Sequence, residues 1–211
     1  MACARSLTLT SVGVDPTLTA MAQAPLTVRR WTRVEYERLV DLGVFAREPV
    51  ELVGGQLIVA EPQGSYHVTA VGMIANRLSA VLPPGWIVRV QAPLALDAES
   101  APEPDIAVVP GTWADYREAH PSAAALTVEV ADSSLAFDRD DKGSLYARAG
   151  LPDYWIVNLV DRVLEVYRDP ALDPAALYGW SYRSRLTLSP ADTVAPLAVP
   201  ADRLAITELL P

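Results

Sequence analysis

Cysteine is nearly missing from this chain: among 211 residues there is one, Cys3, so no internal disulfide can form and nothing calls for an oxidising compartment. The chain therefore reads as cytoplasmic. Histidine is almost as scarce, and the two present, His67 and His120, are too far from each other and from Cys3 to spell a zinc site. Positive charge is short as well: 17 lysines and arginines face 26 acidic residues, for a net charge of −9. That balance excludes a protein that coats nucleic acid through a broad basic face. A local arginine patch or a dimer cleft stays open, because only the local field matters at a groove.

Long apolar runs are absent too. No stretch approaches the roughly eighteen consecutive apolar residues of a membrane helix. The first twenty residues carry one arginine and are broken by threonines, Gly13, Asp15 and Pro16, which speaks against a secretory signal. No internal repeat or low-complexity tract is present. Gly54-Gly55 is not followed by the lysine and helix of a phosphate-cradling loop, so nucleotide binding of that kind is not indicated. With 51% hydrophobic residues the chain can bury a full core in one domain. We expect residues 1–25 to be a poorly ordered N-terminal tail and residues 26–211 to be a single domain.

What the chain does contain is a set of short elements. Thr32-x-x-Glu35 has capping-box spacing and predicts a helix running to about Leu42 and ended by Gly43. Val50 to Val53 and Gln56 to Ala60 flank Gly54-Gly55 and read as a hairpin. Val68, Val71, Ala75, Leu78 and Leu82 recur at helical steps between Tyr66 and Leu82, before Pro83-Pro84-Gly85. Strands are expected at Trp86 to Val90, Leu94 to Leu96, Ile106 to Val109, Leu126 to Val130 and Tyr154 to Val157. Asp97 to Pro104 reads as a loop, and residues 110–125 as a surface loop with a helical piece. A helix is expected from about Arg139 to Ala149, a hairpin partner at Val163 to Tyr167, and a last strand at Tyr182 to Leu188.

Three carboxylates and a lysine stand out against these elements. Glu51 lies in the first hairpin strand, Asp105 precedes Ile106-Ala107-Val108-Val109, Glu129 is embedded in Leu126-Thr127-Val128-Glu129-Val130, and Lys142 follows on the next helix. A charge planted beside apolar strands costs several kcal/mol unless it is paired or holds a metal. A divalent cation held by acidic oxygens near a cationic group is equipment for cutting a phosphodiester. Asp105 and Glu129 reach one ion if their strands are neighbours, and Glu51 adds a carboxylate just outside that ion or on a second one. Asp138, Lys142 and Tyr146 fall at i, i+4 and i+8, on one helix stripe, so the ammonium can be aimed at the metal's water to orient or deprotonate it. The ordinary readings are a buried Glu129 ion pair, a turn cap at Asp105, a solvated hairpin edge at Glu51 and a solvated helix lysine at 142. Tyr146 and Trp155 read as core, His120 as loop surface, and His67 as either a helix-start residue or a substrate contact.

The order of these pieces resembles a known family. Pro104-Asp105, Glu129 between hydrophobic neighbours and a following lysine look like the PD-(D/E)XK nuclease superfamily. More narrowly, Glu51-Leu-Val-Gly-Gly-Gln-Leu57, His67, Pro104-Asp105-Ile-Ala-Val-Val, Val128-Glu129-Val130, Asp138 with Lys142, Tyr146-Ala-Arg-Ala-Gly150 and Pro152-Asp-Tyr-Trp-Ile-Val157 resemble the Uma-type restriction endonucleases, over roughly Trp31 to Tyr167. The resemblance implies an α/β (α+β), restriction-endonuclease-like fold, a mixed central sheet flanked by helices. It implies an Mg2+-dependent endodeoxyribonuclease, with Mn2+ as the alternative ion. Asp105 and Glu129 would be metal ligands, Glu51 an auxiliary acid and metal ligand, and Lys142 the catalytic lysine. One departure is plain: the usual lysine two residues after the glutamate is Ala131 here, so Lys142 would have to replace it. Asp132-Ser133-Ser134 also departs from the expected turn and leaves Asp132 as a candidate extra ligand. DNA is the expected partner, a homodimer the expected assembly by fold analogy, and no membrane is involved. The alternative is a catalytically inactive nuclease-fold protein that binds DNA or a protein as a regulator, and a third option is a nuclease acting on RNA or on structured DNA, which the core motif does not separate from the first.

Overall fold

The computed structural model describes residues 27–60 and 62–211. The expected tail at 1–25 lies outside them. Helix α1, Arg33–Asp41, starts where its capping box closes: Glu35 N–H donates to the Thr32 hydroxyl, and the Glu35 carboxylate accepts the Thr32 backbone N–H. Strands β1, Val50–Val53, and β2, Gln56–Val59, form the expected hairpin. Gly54 and Gly55 have φ of 53° and 78°, the positive values a two-residue turn demands of both central residues.

The main sheet runs in the order β3-β4-β5-β6-β7-β8, built from β3 Trp86–Val90, β4 Ile106–Pro110, β5 Leu126–Ala131, β6 Asp153–Asn158, β7 Val163–Leu172 and β8 Trp180–Leu188. Only β5 and β6 pair in parallel. Such a pair needs a long crossover, here a composite helix of α3 Leu135–Phe137, a π-turn Asp138–Lys142 and α4 Gly143–Arg148. Gly150, at φ 73°, ends it in the left-handed conformation that stops many helices.

Both faces of the sheet are covered, which is why β4, β5 and β6 read as near-continuous apolar runs. On one face Ala70, Val71, Ile74 and Leu78 of α2, Ser65–Val81, pack on Ile106, Val108, Leu126, Val128, Val130, Trp155 and Val157. On the other, Tyr146 and Ala147 of α4 pack on Ala107, Val109, Ala131, Tyr154, Ile156, Tyr167 and Tyr182. Trp155 is fully buried, and truncating it to alanine would remove about 3–5 kcal/mol.

Four expectations need adjustment. Leu94 to Leu96 is not a strand: Leu94 N–H bonds Pro102 O and Leu96 N–H bonds Ser100 O, so the segment folds onto the loop that follows it. Pro93 and Pro102 remove two donors from those facing pieces, and no ladder can propagate. The apolar stripe of α2 is rotated from the one expected, burying Ala70 and Ile74 while Val68 stays exposed. The helix expected from Arg139 begins at Leu135 and carries the π-turn. Finally, the short pair β9 Thr193–Val194 and β10 Leu204–Ala205, with a 3-10 turn at Ile206–Glu208, buries Leu204, Ile206, Leu209 and Leu210 against the α2 side of the core.

Candidate active site

The register of the sheet sets the site. The β3–β4 ladder ends at Val90↔Ile106, and Ile106 in turn faces Val128, so the next residues out, Gln91, Asp105 and Glu129, stand in one row across three strands. Hydrogen bonds hold the row together: Asp105 N–H donates to Glu129 Oε2 at 3.3 Å, Val130 N–H to Asp105 Oδ2 at 2.8 Å, and Gln91 N–H to Asp105 O at 3.0 Å. The β1–β2 hairpin brings Glu51 to the same place, where Glu103 N–H donates to its Oε2 at 2.8 Å.

Lys142 comes from the other side, at the end of the π-turn. Its Nζ lies 3.1 Å from Glu129 Oε1 and 3.2 Å from Glu51 Oε1. It is the only lysine in the chain, the other sixteen cationic residues being arginines, and it is 6% exposed. The π-turn that presents it is tied down at several points. Gly143 N–H and the Tyr154 hydroxyl (2.9 Å) both bond Asp138 O. A Cβ at Gly143 would stand 3.3 Å from that same oxygen, so the tight closure favours glycine. Arg139 donates through Nε and Nη2 to both oxygens of buried Glu165, which Tyr167 and Asn158 also hold. Single π-turns inside α-helices often mark functional sites.

The four acids Glu51, Asp105, Glu129 and Asp138 are all at most 8% exposed, facing one ammonium. Burial alone would lower the proton affinity of Lys142, yet the carboxylates of Glu129, Glu51, Asp138 and Asp105 overcome it and the net direction is upward. The surrounding carboxylates thus favour the charged form of Lys142. For Glu129 burial dominates and, with Asp138, Asp105 and Glu51 adding to it against Lys142, its carboxyl is raised well above the ordinary range. Burial also lifts Asp138, to about 6. Asp105 goes the other way: burial opposes ionisation, but the His67 contact at 3.2 Å, the Val130 amide and Lys142 together lower it. The Tyr146 hydroxyl donates to Glu129 Oε1 at 2.7 Å, so a residue expected only in the core also orients the carboxylate.

These groups line a cleft of about 690 Å³, together with His67, Gln91, Glu103, Asp132, Ser133, Ser134 and an apolar wall from Val50, Ile58, Val59, Pro62 and Phe137. Asp132 reaches the cleft but is exposed; His120 is exposed on its loop, accepting from Arg89. Among the described residues, no three histidine, cysteine, aspartate or glutamate side chains are gathered closely enough to hold an ion by themselves. Glu51 in particular is engaged by Lys142 and the Glu103 amide. Asp105 and Glu129 are the adjacent pair, and a hard ion such as magnesium is commonly held by one or two carboxylates plus waters and substrate oxygens. Buried acids outnumbering the ammonium four to one make a donor set that suits a divalent cation.

The family model described as "Putative restriction endonuclease" matches residues 33–206. The chain belongs to this family, Uma2. A solved structure titled as a "putative nuclease belonging to DUF820", from Anabaena variabilis, is similar to it with a TM-score of 0.59 at 18% identity, over 84% of this chain and 96% of that one. The two share the fold, a mixed sheet between helices. No curated protein matches the chain. Among the described residues of this Uma2 member, no helix is long and apolar enough to cross a membrane.

Gln91, Glu103 and Asp138 are cleft residues that the sequence reading did not assign a role. Asp138 had a signal, its place on the stripe of Lys142 and Tyr146. Gln91 had none, since its position depends on the β3–β4 register.

Proposed function

We propose that this protein is a magnesium-dependent endodeoxyribonuclease that hydrolyses phosphodiester bonds in DNA, with Asp105 and Glu129 as the residues that would hold the ion. The observation that carries the reading is the chain's only lysine, buried between Glu129 and Glu51 beside the Asp105–Glu129 pair. When bound, a divalent ion supplies Lewis acidity toward a phosphoryl oxygen and a more acidic water.

The chain's own residues do the rest. Asp105, which lines the cleft, has Oδ2 fixed by the Val130 amide and His67, while Oδ1 carries the Gln91 amide alone among the described residues. Glu129 is aimed by Tyr146, Lys142 and the Asp105 amide. Lys142, held charged by its carboxylates, stabilises the negative charge that grows on the phosphoryl oxygens and orients the attacking water. A lysine with raised proton affinity does not act as the base, so of the two roles open to it, orienting and deprotonating, the first is favoured.

A homodimer is part of the proposal, because two copies give two centres for two strands. A protein that only binds DNA or a partner would have no use for buried carboxylates outnumbering their lysine, so the inactive-regulator reading is the weaker one.

The test is cleavage of supercoiled plasmid with magnesium or manganese. The native protein is expected to nick or linearise it, and Glu129→Ala to lose cleavage while retaining DNA binding. Equal cleavage by both overturns the proposal.

A further inference from the structure

We propose that Gln91 is a catalytic residue of this centre, its side-chain amide donating to a phosphate oxygen of the substrate beside Asp105. The inference rests on the nuclease reading and extends it to a residue outside the carboxylate and lysine set.

Three observations meet at this residue. Gln91 has φ of 47°, in the left-handed region that residues with a Cβ seldom occupy. The position is one step beyond the last β3–β4 pair, and its N–H is held by Asp105 O at 3.0 Å. Such conformations persist where surrounding structure enforces them, and they cluster at active sites. Second, its Nε2 donates to Asp105 Oδ1 at 3.2 Å. The other oxygen, Oδ2, is held at 2.8 Å by the Val130 amide and at 3.2 Å by His67. Among the described residues Oδ1 thus has one hydrogen-bond partner, and that partner is an exposed side chain. Were Asp105 Oδ1 to take an ion, the Gln91 amide would be released from the carboxylate and remain beside it as a donor.

Third, acidic side chains dominate the cleft, whose side-chain donors are those of Lys142, His67, Gln63, Gln91, Ser133 and Ser134, the last of them bonded to Asp138. Among its described lining residues Glu51, Glu103, Asp105, Glu129, Asp132 and Asp138 bring only acceptors when ionised. Lys142 is held between Glu51 and Glu129, and His67 is engaged by Asp105. A phosphodiester entering this space needs hydrogen bonds to its non-bridging oxygens. The Gln91 amide has two N–H groups, one of them on Asp105 Oδ1 in the ion-free protein, and it adds no charge that would compete for the ion.

The test compares native protein with Gln91→Gly, which suits a positive φ and so removes the side chain without straining the turn. Gln91→Ala serves as a second variant. Two quantities are read: Mn2+ affinity by titration calorimetry without DNA, and single-turnover cleavage of a labelled duplex at saturating Mn2+. Both variants are expected to bind Mn2+ within about two-fold of native and to cleave roughly 100-fold more slowly, the loss typical of removing one donor to a developing oxyanion. Cleavage by Gln91→Gly within about three-fold of native overturns the assignment alone. A fall in Mn2+ affinity of more than about ten-fold, with cleavage returning to within about three-fold of native once Mn2+ is raised to saturate the variant, also overturns it, reducing Gln91 to a support for Asp105. A native protein that cleaves nothing with either ion overturns the nuclease reading, and this assignment with it.

Discussion

Asp105 and Glu129 are locked to one another through the backbone, the Asp105 N–H donating to Glu129 Oε2 at 3.3 Å and the amide next to Glu129, that of Val130, closing on Asp105 Oδ2 at 2.8 Å. Neither carboxylate owes its place to a flexible loop. Each is set by the β4–β5 register, so a one-residue slip would send Glu129 to the opposite face, into the α2 side of the core. Repulsion between the two, and with Glu51 and Asp138, is offset in the ion-free protein by Lys142, with His67 and the Val130 amide supporting Asp105. Several consequences can be measured.

Glu129→Gln should leave the ion-free protein as stable as native, or more stable by about 1 kcal/mol, because burial already disfavours the Glu129 charge. Lys142 keeps Glu51 as a partner. Native protein at 100 times the dissociation constant of Mn2+ should gain about 2.7 kcal/mol in urea unfolding, and the variant close to none. An equal gain in the variant places the ion elsewhere.

Lys142→Met leaves Glu51 and Glu129 facing each other without their cation. Breaking a buried pair in this way removes on the order of 3–5 kcal/mol, reduced wherever a carboxyl can take up a proton instead. The loss should therefore be larger at pH 8 than at pH 5, and cleavage should fall about 100-fold. Urea unfolding at the two pH values checks the first claim, and a loss independent of pH would contradict it.

Asp138→Asn isolates a single titration. Burial raises Asp138 from the ordinary 3.8 to about 6, so its favourable contribution is fully present below pH 3.8 and is lost as pH rises through 6. Above that the buried carboxylate opposes folding by roughly 3 kcal/mol. The asparagine variant should match native stability near pH 4 and exceed it increasingly up to a plateau above pH 6. A stability difference that is flat from pH 4 to 8 would refute the assignment.

Arg139→Gln loosens the clamp on the π-turn while Tyr167 and Asn158 still hold Glu165. We expect about 1–3 kcal/mol of destabilisation and a roughly ten-fold drop in cleavage, with Mn2+ affinity nearly unchanged, since Asp105 and Glu129 are not touched. Unaltered cleavage would show that Lys142 is held without the clamp.

Much of this arrangement was legible beforehand because it is written in local chemistry. The capping box at Thr32 and Glu35, the Gly54-Gly55 turn and the alternation through Glu129 each act within a few residues and appear as expected. The site was legible in its residue types, since a carboxylate in a strand such as Leu126 to Val130 demands a partner. What could not be read is what register and long-range packing decide. Gln91 joins Asp105 only because β3 ends one pair before it, and His67 reaches Asp105 only through the seating of α2 on the sheet. Helical spacing placed Asp138, Lys142 and Tyr146 on one stripe, but not the π-turn that Tyr154 and Gly143 close beneath it. The C-terminal segment from Leu204 to Leu210 was missed because its apolar residues are too few to show a period.

The most direct measurement is plasmid cleavage with magnesium present and then chelated, for native protein beside Asp105→Asn and Lys142→Met. The account predicts cleavage by the native protein that stops with chelator, and a loss of about 100-fold or more in both variants. Cleavage that survives chelation, or that either variant matches, would contradict it.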